Sequence, residues 1–288
     1  MILLRLVVEF IIFFHERHMS TSTPGWTATN LRCIQLAEIS IALQPMLETR
    51  VREVFAYKAV VTGPSGAGFV EVASEMTLGE QIVLERFVIA KTFHMASNSP
   101  ASWSGSKLAI DLTPDATDAE ESLSYVSGMT ERFGLKPDQI LLEIGGDRDI
   151  DPQSLRNLIS ASRKAGFGAV LRDFDEVSPG EYMPHNCGSQ FLKLTGSLIR
   201  RIQESPRRQK VIDGLVASCC LLDIRILAEG VSTLQEFSVL SSLGVNLMRG
   251  NFFCTEGDGV FLSPTFPPRS AEVESSIEYL GLRKIAWT

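Results

Sequence analysis

Histidine, paired cysteine, a glycine-rich fingerprint and a long uninterrupted apolar run are scarce or missing in these 288 residues. There are four histidines, and two of them, His15 and His18, fall in an unusual N-terminal stretch. That argues against zinc chemistry and against a Ser-His-Asp triad. The five cysteines (Cys33, Cys187, Cys219, Cys220 and Cys254) are odd in number and form no Cys-x-x-Cys pair, so free thiols in a reducing cytoplasm are expected. No glycine-rich turn follows an apolar strand in the manner of a dinucleotide site. Basic residues are in deficit, 27 against 34 acidic for a net charge of -7, which excludes a non-specific nucleic-acid binder. A small nucleotide, which needs only a few local cations, is not excluded. The apolar opening "MILLRLVVEFIIFF" is shorter than a membrane span, is broken by Arg5 and Glu9, and has no small-residue cleavage site after it. It reads as the product of an upstream start with Met19 the true one, as an amphipathic helix, or as part of a partner interface; the first is favoured.

The chain is long enough to bury a full core. From residue 31 the pattern is regular. "ISIALQPML" and "REVFAYKAVV" read as two strands joined by a polar turn. "LGEQIVLERFVIAKTFHMAS" has helical length, with Val83, Phe87, Ala90 and Phe93 at helical spacing. Short strands then alternate with helices: "KLAIDL", "QILLEI", "GAVLRDF", "QFLKL", "IRILAEG" and "NLMRGNFF". Asp151, Pro152 and Gly166 bracket one helix, and Ser232 with Gln235 forms a capping box for another. Repeated strand–helix units imply a parallel sheet, and this many of them favour a closed α/β barrel. The reading is of a tail over 1–30, a single barrel domain over 31–265, and an extension over 266–288 with a helix from Ser270 to Leu282.

Chemistry in such barrels sits at the C-terminal ends of the strands. Asp111, Glu143, Arg172, Asp173, Lys193 and Glu229 all fall there. Each alone is an ordinary loop charge, but their regular placement predicts that they converge on one mouth. Four carboxylates in one pocket repel and need cations, usually metal ions. Lys58, in the middle of the apolar run "VFAYKAVVTG", would be costly to bury unless carboxylates meet it.

The segments "LQPML", "LLEI", "LRDF", "LKLTGSLI", "AEGVST" and "NLMRGNFF", in this order and spacing over roughly residues 36 to 262, resemble the EAL-domain family. That resemblance implies a modified TIM-type (β/α)8 barrel with an irregular, antiparallel first strand, and an ancestral cyclic-di-GMP phosphodiesterase using Mg²⁺ or Mn²⁺. It also implies that Asp111, Glu143, Asp173 and Glu229 stand at former metal positions and Lys193 at the catalytic lysine. Several positions depart from the pattern. Lys58 replaces the namesake glutamate and Thr62 a phosphate-gripping arginine. Gly146, Arg172, Thr195, Ser232 and Arg249 replace a glutamate, two aspartates, an acidic residue and a glutamine, respectively.

Two former ligand positions thus carry the opposite charge. The expectation is a degenerate, catalytically inactive member in which Lys58, Arg172 and Lys193 stand in for metal, with no cofactor. It would act in the cytoplasm as a regulatory module on an unknown protein partner, with "GPSGAGF" at 63–69 and the loop 175–189 as candidate surfaces. Cyclic-di-GMP is not expected to bind in the family's mode. The alternatives are a receptor that binds it without hydrolysis and a weak phosphodiesterase. A homodimer stays open, because the loop that carries the family's usual dimer departs from its pattern.

Overall fold

The computed structural model describes residues 39–63, 76–112, 119–145, 152–174, 188–254 and 261–266. The expected N-terminal tail, the terminal helix at 270–282, Asp151, Gly146 and nearly all of the two candidate partner loops lie outside them. Eight strands close into one barrel in sequence order. They are β1 (Ser40–Glu48), β2 (Glu53–Thr62), β3 (Lys107–Leu112), β4 (Ile140–Ile144), β5 (Gly168–Phe174), β6 (Phe191–Leu194), β7 (Arg225–Glu229) and β8 (Leu247–Arg249). The helices between them are α1 (Leu78–Ser97), α2 (Ala119–Arg132), α3 (Pro152–Lys164), the single turn α4 (Gly196–Ile199), α5 (Pro206–Leu221) and α6 (Leu234–Ser242).

Strands β2 to β8 run parallel, whereas β1 is antiparallel to both β2 and β8. A four-residue turn forces this, because Thr49–Arg52 is too short for a crossover and Arg52 adopts a left-handed conformation (φ 60°) to close it. A bulge leaves Phe55 unpaired between Met46↔Ala56 and Leu47↔Val54. Its ring packs on Phe191 at 5.5 Å and so closes the N-terminal end of the barrel.

Period-two alternation sorts the side chains. Met46, Ala56, Ala109, Leu141, Val170, Phe191, Leu227 and Leu247, one from each strand, form an apolar plug inside the barrel. The other strand faces, with α1 to α6, bury a second and larger core outside it. Moving two residues along each strand from the plug toward the mouth gives Gln44, Lys58, Asp111, Glu143, Arg172, Lys193, Glu229 and Arg249. The whole polar layer therefore rests on an apolar floor.

The α6 cap differs from expectation by one residue. Thr233 is the N-cap and Glu236 completes the box, not Ser232 and Gln235. Glu236 is buried, and its carboxylate accepts from the backbone N–H groups of Ser232 (2.8 Å), Thr233 (3.1 Å) and Arg201 (2.9 Å). A carboxylate saturated in this way outcompetes a partly exposed glutamine amide. Pro152 opens α3, and Gly166 (φ 90°) turns the chain after it, as the sequence predicts.

Gly250 follows β8 directly at φ 153°, and a Cβ there would overlap the backbone of Val231. The close approach lets Val231 N–H donate to Arg249 O (3.1 Å) and Phe252 N–H to Val231 O (3.1 Å), locking the end of β8 beside β7. Gly250→Ala is expected to cost about 2 kcal/mol or more, read as a lower urea midpoint with an unchanged slope.

Candidate functional site

At the barrel mouth, seven charged side chains from seven strands form one alternating chain. Arg172 Nη1 donates to Asp111 Oδ1 at 2.6 Å, and Lys58 Nζ lies 2.7 Å from the same oxygen. Lys58 Nζ is also 3.0 Å from Glu143 Oε2, which accepts from Lys193 Nζ at 2.7 Å. Lys193 Nζ reaches Glu229 Oε2 at 2.8 Å, and Glu229 Oε1 accepts from Arg249. The order is Arg172, Asp111, Lys58, Glu143, Lys193, Glu229, Arg249, with the sign of charge changing at every step. Lys58 Nζ is thus ion-paired with both Asp111 and Glu143 at short range. Four cations to three carboxylates leave this chain with a net charge of +1.

Strand register explains the pairing. Asp111 and Glu143 are direct neighbours on β3 and β4, as are Glu229 and Arg249 on β7 and β8. Two adjacent carboxylates would repel. Lys58 bridges that pair from β2, and Arg172 reaches across β4 to Asp111 while donating to Gly145 O at 2.9 Å. Lys58, Glu143, Lys193 and Arg249 are buried, whereas Asp111 and Glu229 keep about a third of their side-chain surface open, 32% and 29%.

Burial pushes each carboxyl toward its neutral form, but the neighbouring cations outweigh it. Asp111 is held well below the ordinary carboxylate range by Lys58, Arg172 and Lys193. Glu143 is lowered by Lys58 and Lys193, against the repulsion of Asp111 and Glu229. Glu229 falls from 4.5 to about 2 through Arg249, Lys193 and Lys58. For Lys193 and Arg249 burial acts downward, but the carboxylates raise both, Glu143 foremost for Lys193 and Glu229 foremost for Arg249. All five groups are thereby held in their charged forms.

Of the residues expected to converge, Lys58, Asp111, Glu143, Arg172, Lys193 and Glu229 do so. The side chain of Asp173 is outside the described ones. Thr62 sits half-buried at the end of β2, and its carbonyl accepts from Ser40 Oγ at 3.3 Å. Thr195 is the residue before the α4 turn, its hydroxyl 2.6 Å from Ser197 Oγ, and the exposed Ser232 donates to Gly230 O at 3.0 Å. None of these three joins the ion chain. Arg249, expected only as a lost glutamine, is instead its fourth cation, so the count of three cations read from the sequence is one short. Gln44 completes the layer from β1, its amide donating to Cys254 O at 3.4 Å.

With this architecture in place, the comparisons are decisive. The EAL domain family matches residues 29–256. The chain belongs to the EAL domain family. One relative is the blue light- and temperature-regulated antirepressor BluF of Escherichia coli K12, 23% identical over 215 residues, spanning 74% of this chain and 53% of that protein. Another is the cyclic di-GMP phosphodiesterase PdeB of Shewanella oneidensis, 20% identical over 238 residues, 80% of this chain and 28% of that one. The chain thus spans about half the length of such relatives, or less. Among similar solved structures, BlrP1 of Klebsiella pneumoniae in a calcium and cyclic-di-GMP complex is 26% identical with a TM-score of 0.70, covering 80% of this chain and 59% of that one. A standalone EAL protein of Vibrio cholerae O395 bound to c-di-GMP shares the fold at TM-score 0.70 and 24% identity, over 79% of this chain and 95% of that one.

The depressed carboxyls set a pH dependence. A folded-state pKa below the unfolded one gives stability that is present above the unfolded value and lost as pH falls through the folded value. For Glu229 that window runs from 4.5 down to about 2, with Glu143 and Asp111 lost in the same direction. Acid unfolding is therefore expected in this range. Glu143→Gln, which strips two buried ammonium groups of a shared partner, is expected to cost about 3–5 kcal/mol at neutral pH and to flatten the acid limb. Denaturant titration at several pH values measures both.

Proposed function

We propose that this EAL domain has no phosphodiesterase activity and serves cyclic-di-GMP signalling as a regulatory module that acts through contacts with a protein partner. The alternating ion chain carries this reading. A two-metal hydrolytic centre needs several anionic oxygen ligands for each ion. In this mouth the oxygens of Asp111, Glu143 and Glu229 lie against tethered cations. A divalent ion about 4 Å from an ammonium or guanidinium group meets repulsion on the order of 8 kcal/mol at an effective dielectric near 20. The residues present do not fit the family's metals, and no hydrolytic step is routed through them. Lys193, at the family's catalytic position, is held as an ammonium ion and offers no base. The likeness to an antirepressor supports a role exerted on another protein.

A second reading is a cyclic-di-GMP receptor. A BlrP1 structure that holds cyclic-di-GMP contains no metal ions, so nucleotide binding and metal are separable in that protein, at 25% identity. The net positive ion chain would tolerate a phosphate nearby. Against this reading, Thr62 and Arg249 stand where the resemblance implies a substrate-gripping arginine and a glutamine. A weak phosphodiesterase holding one metal would require Lys58 and Arg172 to leave the carboxylates.

A hydrolysis assay with Mn²⁺ is expected to show no turnover of cyclic-di-GMP. Turnover that Glu229→Ala abolishes would overturn the proposal. Calorimetry with cyclic-di-GMP separates the partner-binding reading from the receptor. In the double variant Lys58→Glu with Arg172→Asp, Mn²⁺ binding is expected to appear in calorimetry, because it removes both opposing charges and restores two oxygen ligands.

A further inference from the structure

The ion chain at the mouth alternates in sign but starts and ends on cations, Arg172 and Arg249, so it is one anion short of full pairing. The Arg172 end is held by Asp111 and by the carbonyl of Gly145. The Arg249 end is the incomplete one. Its Nη2 donates to Glu229, but its Nη1 is buried and has no hydrogen-bond partner among the described residues. Arg249 as a whole is 8% exposed. A guanidinium carries five N–H donors and no acceptor, and a buried charged donor left unmet is among the costlier defects of a folded chain.

The surroundings of this end favour a negative partner. From β8 the closed sheet continues to β1 and then to β2. Arg249, Gln44 and Lys58 are the layer's residues on these three strands, so this arc holds two cations, a neutral amide and no carboxylate. Gln44 is buried, pairs in register with Lys58, and spends its amide on a long contact with Cys254 O at 3.4 Å. Glu229, on β7, is the acid that faces Arg249, and it is shared with Lys193. Its side chain keeps 29% of its surface open, so solvent reaches the pair. Water can accept from Nη1 but leaves the ion chain with its surplus positive charge. A monovalent anion both accepts and neutralises, and it adds the missing step to the alternation.

We propose that the arc formed by Arg249 and Gln44 binds a small monovalent anion, with Arg249 Nη1 as its main donor. Where the family resemblance implies divalent cations, this mouth takes a charge of the opposite sign. The inference rests on the metal-free reading above and names what the site takes instead. A free inorganic anion and the phosphodiester of a nucleotide share this chemistry, a single negative charge beside a guanidinium.

The test is the chloride NMR linewidth measured against concentration of the full chain in EDTA. The chain's net charge of -7 keeps unspecific chloride association low. The native chain is expected to broaden the chloride line. Gln44→Glu, which places a tethered carboxylate in the arc, is expected to reduce that excess broadening about tenfold, as is Arg249→Gln, which removes the donor. Native broadening no greater than that of the variants would overturn the proposal and leave water as the partner of Nη1. Arg249→Gln also strips Glu229 of a partner, so near-UV circular dichroism checks its fold, and Gln44→Glu decides alone where that variant is loosened. Displacement of chloride by inorganic phosphate and not by cyclic-di-GMP supports the proposal with a free anion as the ligand. Displacement by cyclic-di-GMP supports it with a nucleotide phosphodiester as the ligand. Calorimetry with Mg²⁺ keeps the two readings apart. Mg²⁺ binding would sink the metal-free reading, whereas a silent chloride line without Mg²⁺ binding would sink this proposal alone.

Discussion

Charge cannot be left unpaired inside a barrel, and that single cost governs this molecule. The mouth layer places seven ionised groups on an apolar floor, four of them buried. Each group is tolerable only because the next has the opposite sign. The arrangement depends on strand register. A shift of any one strand by a residue would turn its charge into the outer core and leave a neighbour without a partner. The ion chain thus couples the registers of seven strands: each alternative pairing would bury a charge without its partner.

Most of the fold was legible in the sequence, because parallel strands buried on both faces are near-continuous apolar runs between helix-length segments. The run around Lys58 was informative through its one discordant residue. The strand-end charges were legible because they recur at equivalent places. Arg249 was not recognised as a partner, since β8 is three residues long and has no periodicity of its own. Its partner is fixed only when β8 closes beside β7 and puts Arg249 level with Glu229. Gln44 was missed for a related reason. Its strand runs the other way, so the mouth-facing residue precedes the plug residue Met46 instead of following it. The α6 cap was misplaced by one residue because both Ser232/Gln235 and Thr233/Glu236 satisfy the local pattern, and only the burial of Glu236 separates them.

The first hairpin links the two ends of the barrel. At one end it supplies Lys58 to the ion chain, and at the other its Thr49–Arg52 turn lies at the N-terminal end of the barrel, with an unbroken β1–β2 ladder between them apart from the bulge at Phe55. Family membership and fold place the mouth layer at the C-terminal strand ends of an EAL barrel.

The cations that pair with Asp111, Glu143 and Glu229 are covalently part of the chain. A metal ion in such a place would come and go with its free concentration, and the mouth would register every change in that concentration as a change in free energy. Tethered ammonium and guanidinium groups have no such reservoir. They cannot be chelated, diluted or exchanged, so on the proposed metal-free reading the charge of this mouth is set once, at folding, and does not follow the divalent-ion content of the surrounding solution.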